Sequence, residues 1–214
     1  MKHMPILLVA VLLAIPAPAA DKNSSGGEAS LTPEQVEANY TRAIEGRTAD
    51  ILKVLELSDT NRAAKIHDLI IAQYRALRAW HDEHDARLKA AKDNTNSVAQ
   101  IRSSLKALHD QYIAGLSAQL TPEQVEQVKD KMTYGKVQFT YQGYLVEYPD
   151  LSEEQKQKVL EFLKEAREQA MDAGSSEEKS AIFNRYKGRI NNYLSKQGVH
   201  PQKKKPAAKP PADN

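Results

Sequence analysis

Residues 59–88 read DTNRAAKIHDLIIAQYRALRAWHDEHDARL. Ile66, Ile70, Tyr74, Leu77, Trp80 and Leu88 recur at steps of three, four and eight, the spacing that gathers apolar side chains on one face of a 3.6-residue helix. Ser58-Asp59 supplies side chains of the kind that cap free helical N–H groups. Polar and charged residues fill most other positions, so the stretch predicts one long amphipathic helix with a single apolar stripe. Such helices become stable when their stripes bury against one another, which predicts a bundle.

The same periodicity extends in both directions. A helix is predicted from Pro33 to about Leu57, with Val36, Tyr40, Ile44, Ile51 and Leu55 inward. Downstream, Asp93-Asn94-Thr95-Asn96 breaks the pattern, and a third helix presents Val98, Ile101, Leu105, Leu108, Tyr112 and Leu116. Thr121 starts a shorter fourth with Val125, Val128 and Met132. A fifth, from Ser152, buries Val159, Leu163, Ala166 and Ala170 and ends at Gly174, placed to take the left-handed conformation. Ser175 or Ser176 caps a sixth with Ile182, Phe183, Tyr186, Ile190 and Tyr193, closed by Gly198. Three of these starts are alike: LTPEQV at residues 31–36 and 120–125, and LSEEQK at 151–156. Thr32, Thr121 and Ser152 suit the N-cap, and Gln35, Gln124 and Gln155 fall three residues on, the two halves of a capping box. The expected fold is all-α, with about six amphipathic helices in one bundle over residues 31–199.

Between the fourth and fifth helices, residues 134–149 read YGKVQFTYQGYLVEYP. Gly135, Gly143 and Pro149 punctuate it while Val137, Phe139 and Tyr141 alternate with polar residues, which predicts a short extended segment. Tyr134, Tyr141, Tyr144 and Tyr148, four of the nine tyrosines, fall within it. Aromatic faces with polar tips suit stacking on a sugar ring or holding a peptide; they also suit packing over a bundle end. Tyr134, Tyr141 and Tyr144 are therefore candidate ligand-binding residues.

A second candidate set flanks Gly174. Arg167, Glu168 and Asp172 end one helix and Lys187, Arg189, Asn191 and Asn192 lie on the next, so a tight antiparallel turn brings them within reach. Such a network either fixes helix register or lines a cleft for an anionic sugar or carboxylate. His81, His84 and Asp85 share one helical face at i, i+3 and i+4. Catalytic zinc needs at least three protein ligands, and only His109 or a distant carboxylate could complete the set, so a solvated face is expected and no metal or cofactor.

The termini differ from this body. Met1-Lys2-His3, the apolar run Ile6 to Ile15 and Pro16-Ala17-Pro18-Ala19-Ala20 follow the order of a secretory signal peptide, residues 1–20, cleaved after Ala19 or Ala20. Its apolar run is about half the roughly twenty residues that a spanning helix needs, so no stable membrane insertion is expected. Residues 21–30 read as a polar linker and 200–214 as a Lys/Pro/Ala tail too polar to pack. The chain has no cysteine, hence no disulfide, thiolate nucleophile or thiolate zinc site. Setting aside Lys2, Lys203, Lys204, Lys205, Lys209 and Asp213, the formal charge changes from +2 to −2. A body of that balance argues against nucleic-acid binding. The expected location is the periplasm or the cell exterior.

Written as L-[ST]-x-E-Q, the capping boxes resemble the LTxxQ motif of the Spy and CpxP periplasmic stress chaperones, which implies a protein client. MTYG at 132–135, TYQGY at 140–144, EAREQAMDAGSSEEK at 165–179 and YKGRINNYL at 186–194 resemble an uncharacterised family of secreted proteins from Bacteroidota and related bacteria, known as a domain of unknown function. That resemblance implies a helical secreted domain, sometimes encoded beside or joined to polysaccharide-degrading enzymes, with no established catalytic residues. The sequence holds no glycine-rich phosphate loop, GxSxG elbow or HExxH pair. The reading that results is a non-enzymatic binding or accessory protein near polysaccharide utilisation, with a glycan or a protein client as partner. An LTxxQ-type chaperone or stress sensor is the alternative, and a hydrolase or lyase using the carboxylates near Asp172 is a third.

Overall fold

A computed structural model describes residues 31–202, and the expected leader, the linker and the tail from Lys203 onward lie outside the described residues. Seven helices follow one another: α1 (Pro33–Leu55), α2 (Thr60–Ala90), α3 (Thr95–Ser117), α4 (Pro122–Met132), α5 (Lys136–Glu147), α6 (Glu153–Met171) and α7 (Ser176–Lys196). The all-α expectation holds. All three capping boxes form: Thr32, Thr121 and Ser152 each accept from the N3 backbone while Gln35, Gln124 and Gln155 reach back to the cap N–H. Asp59, Asn94 and Ser175 cap α2, α3 and α7 through their side chains. α1 stops at Leu55, two residues short of the expected end, because Glu56 takes a left-handed conformation at φ 47°.

The expected extended segment is instead α5. Residues 137, 140, 144 and 148 carry a helical stripe that competes with the alternation of Val137, Phe139 and Tyr141, and the four side chains of that stripe are the buried ones. The alternation is broken in space: Val137 is buried, Tyr141 is half-buried and Phe139 is exposed. A lone strand in an all-helical domain has no partner for its backbone N–H and C=O groups, whereas a helix satisfies them internally. Tyr134 at φ 59° and Gly135 at φ 63° turn the chain sharply between α4 and α5, at the price of a left-handed tyrosine.

The buried residues form two core clusters. α1, α2, α3 and α4 surround Ile44, Ile51, Ile66, Ile70, Leu116 and Val128, while α5, α6 and α7 surround Val159, Leu163, Phe183, Ile190 and Leu194. α6 bridges them, since it packs on α4 and its last residue, Met171, belongs to the first core. Cross-helix bonds fix two antiparallel pairs: Glu37 to Arg75 and Glu45 to His67 for α1 and α2, and Glu165 to Arg189 and Gln169 to Tyr186 for α6 and α7. The start of α1 stands clear of both cores, so Val36, expected inward, is 42% exposed. No helix among the described residues is long and apolar enough to cross a membrane.

Gly174 does not close α6 in a left-handed conformation; Asp172 caps that helix at φ −90°, and the left-handed glycines among the described residues are Gly135 and Gly198. What requires glycine at 174 is the His81 ring, whose Cγ lies 2.9 Å from where a Cβ would stand. Gly143, inside α5, has nothing within 4 Å of that position. Gly174→Ala is therefore expected to destabilise by about 1–3 kcal/mol through overpacking, whereas Gly143→Ala is expected to stabilise by up to ~1 kcal/mol by restoring helix propensity. Urea unfolding of the two variants measures both signs.

Candidate functional site

The polar side chains with the most constrained geometry lie where the two cores meet. Arg167 sits beside the apolar stripe of α6, four residues after Leu163, and its side chain is only 3% exposed. A guanidinium there stays charged and has to find acceptors. α4 provides them one turn apart: Nη2 donates to Glu126 Oε2 at 2.5 Å and Nη1 to Asp130 Oδ1 at 2.6 Å. Nη2 also reaches Glu168 Oε1 at 3.3 Å, and Nε is buried without a partner.

The charge pattern continues outward from Glu168. Its Oε2 lies 3.0 Å from Lys129 Nζ and 3.6 Å from His109 Nε2. His109, on α3, points Nδ1 at the Asp172 carboxylate at 3.0 Å. The carbonyl oxygen of Asp172 accepts from His81 Nε2 at 2.7 Å, and His81 Nδ1 meets Asp85 Oδ1 at 2.9 Å. A carbonyl and a carboxylate only accept, so both ring nitrogens of His81 donate and the geometry selects the imidazolium. Four helices, α2, α3, α4 and α6, meet in this chain of alternating charge.

The titrations follow from these contacts. The carboxylates of Asp172 and Glu168 hold His109 up at about 9 against its partial burial. Burial disfavours the Glu168 charge, yet His109, Lys129 and Arg167 outweigh it and hold the carboxyl at about 2. Burial also works against His81, whose bonds to Asp172 and Asp85 nevertheless raise it. On α7, Lys179 is buried and pushed down to about 8, and its Nζ donates to the carbonyls of Ala170 and Met171 at the end of α6. Acids and bases in this junction are answered by one another, an arrangement suited to locking four helices in register.

The candidate residues from the sequence separate into different places. Arg167, Glu168 and Asp172 meet in the junction, but they turn toward α4, α3 and α2 and do not meet Lys187, Arg189, Asn191 or Asn192 on α7. Asn191 accepts instead from Tyr144 Oη at 2.8 Å, and the Lys187 carbonyl accepts from the same hydroxyl at 3.2 Å. Arg189 is exposed, pairs with Glu165 at 3.1 Å and lies over the Tyr186 and Phe162 rings; Asn192 faces solvent. Tyr144 is buried and stacked on Tyr148, and burial pushes its hydroxyl up, which removes it as a ligand platform. Tyr141 packs half-buried on the second core, and Tyr134 is 47% exposed. His81 and His84 diverge, since His84 Nδ1 bonds the Trp80 carbonyl at 2.9 Å, and no group of three metal-ligating side chains converges among the described residues. Glu126, Lys129, Asp130 and Lys179 were not among the expected site residues. The readable signal was Arg167 itself, a cation next to a buried stripe, together with the i, i+3, i+4 charges of α4.

These features define an all-helical domain of two cores joined by an ionic network around the buried Arg167 side chain. The chain belongs to the family described as a protein of unknown function (DUF3826), whose model matches residues 41–208. Comparison with curated proteins finds no match.

Two measurements test the junction. Arg167→Met leaves Glu126 and Asp130 free to hydrate at their 42% and 44% exposure. It should cost less than the double change Glu126→Ala with Asp130→Ala, which strands the guanidinium and should cost about 3–5 kcal/mol in urea unfolding. His109, raised in the folded chain, binds its proton more tightly folded than unfolded. Its contribution is complete below pH 6.5 and is lost as pH rises through about 9. Lys179, pushed down to about 8, acts in the opposite sense above that pH. Tm should therefore fall from pH 6.5 to 8, and His109→Gln should flatten that fall, leaving the contributions of His67 and His81, which are also raised.

Proposed function

We propose that this chain is a non-enzymatic binding or accessory module acting in the periplasm or outside the cell, and that it works on polysaccharide through the outer side of α5. The observation that carries the proposal is the apolar surface left uncovered there. Phe139 is 82% exposed and Val146 is 80% exposed, seven residues apart on one helical face, with Tyr134 open at the turn before α5. Apolar side chains open on one face of a short helix offer a partner a surface that gains by being covered. An aromatic ring with an open face stacks on the apolar side of a sugar. The glycan context and the export rest on the family resemblance and on the leader-like residues 1–20.

A second reading is supported by α1. Leu31 and Val36 are exposed beside a shallow groove along Pro33, Ala38 and Thr41, with Glu34, Glu37 and Arg42 at its edge. A surface of that kind on an LTPEQV helix start fits a chaperone that holds an unfolded client.

Affinity electrophoresis of the full chain in gels containing soluble polysaccharides separates the two. Retardation of the wild type should be lost, by roughly ten-fold in apparent affinity, in Phe139→Ala and Tyr134→Ala. The exposure of both side chains leaves the fold intact in these variants. Absence of retardation on every polysaccharide, combined with stoichiometric suppression of client aggregation that Val36→Asp removes, would transfer the assignment to the chaperone reading.

A further inference from the structure

A cleft of about 250 Å³ opens between the last turns of α2 and the first turns of α3, far along the chain from α5, and is lined by His84, Arg87, Ser97, Gln100, Ile101 and Ser104. Stacking and hydrogen bonds position its floor. The His84 ring lies flat on the Trp80 indole, with centroids 4.7 Å apart and planes 7° from parallel. Trp80 Nε1 donates to Ser104 Oγ at 2.8 Å, and Ser104 Oγ donates in turn to the Ile101 carbonyl at 2.8 Å.

Two groups in the cleft have chemistry to spare. His84 Nδ1 lies 2.9 Å from the Trp80 carbonyl, which only accepts, so Nδ1 carries a proton and Nε2 is the atom left for other partners. Its nearest acid, Glu83 Oε1, is 3.7 Å away, beyond hydrogen-bond distance. Arg87 forms no ion pair among the described residues; in the last turn of α2 its charge complements the helix dipole and leaves the fork of N–H donors available. A planar fork recognises a carboxylate in two-point fashion, and a neutral imidazole nitrogen accepts from a hydroxyl. Ser97 and Gln100 add a hydroxyl and an amide on the opposite wall.

We propose that this cleft binds a small hydroxycarboxylate, such as a sugar acid, with its carboxylate on Arg87 and a hydroxyl donating to His84 Nε2. The volume lies below the roughly 300–1,000 Å³ of sites for drug-sized molecules, so the ligand is one monosaccharide acid or smaller. The site shares no residue with the surface of α5, and either assignment stands if the other fails.

The test is an NMR titration of the ¹⁵N-labelled full chain, in which the single tryptophan supplies one indole N–H resonance beside the cleft. Galacturonate and glycolate should give saturable shifts at Trp80, Ser97 and Gln100 in the roughly millimolar range. Galactose, which lacks the carboxylate, and acetate, which lacks the hydroxyl, should bind at least several-fold more weakly. Arg87→Ala should weaken galacturonate about ten-fold, with Arg87→Lys intermediate, and His84→Phe should erase the preference for glycolate over acetate. The proposal is overturned by shifts that do not saturate, by galactose matching galacturonate, or by Arg87→Ala binding as the wild type does.

Discussion

Arg167 is the residue around which the two halves of the molecule are arranged. A guanidinium does not lose its proton inside a protein, so placing it in α6 obliges a neighbouring helix to present acceptors at matching height. Glu126 and Asp130 do so from α4, and they determine how α6 lies on the four-helix portion of the fold. Hydrocarbon contacts tolerate sliding by part of a residue, whereas a two-point guanidinium pair does not. Glu168, His109, Asp172 and His81 then extend the same requirement to α3 and α2. The hydrophobic cores supply most of the stabilisation, and this junction decides which arrangement of the cores is adopted.

That division separates structure from function on the molecular surface. The junction is closed upon itself, and the groups left over for partners lie at the periphery: the outer side of α5, the exposed start of α1, and the cleft between α2 and α3. The DUF3826 match, residues 41–208, covers the segment that holds the junction, α5 and the cleft, and begins within α1. The proposed contacts with sugar rings and with a hydroxycarboxylate use different helices and do not depend on one another.

Much of the helical framework was legible in the sequence, and for a local reason. Threonine or serine followed by glutamine three residues on creates a helix start whose hydrogen bonds are complete within four residues, and all three such starts form as expected. The α5 segment was misread because glycines and an alternation at 137, 139 and 141 pointed to period two, while the buried set 137, 140, 144 and 148 repeats at helical spacing. Which of two short periodicities wins depends on the availability of a partner strand, a property of the whole chain. Gly174 was misplaced for a similar reason. The sequence shows a glycine after a helix, but the ring that forbids a Cβ there comes from His81, ninety-three positions earlier. For Arg167, Glu168 and Asp172 a polar cluster was readable; its partners were not, because the choice between α7 and α4 is set by helix rotation.

The sharing of labour between the cores and the junction extends to how the molecule responds to its surroundings. Separating α6 from α4 exposes the charged groups of Arg167, Glu126 and Asp130, and polar exposure lowers the heat capacity where apolar exposure raises it. The seam therefore has a flatter stability curve than the hydrocarbon on either side. Dissolved ions act weakly on it, because its pairs, 2.5–3.6 Å apart around a buried guanidinium, lie well inside the Debye length of about 10 Å at 0.1 M. The joint around Arg167 thus keeps its register at salt concentrations that would weaken the exposed ion pairs elsewhere on the helices.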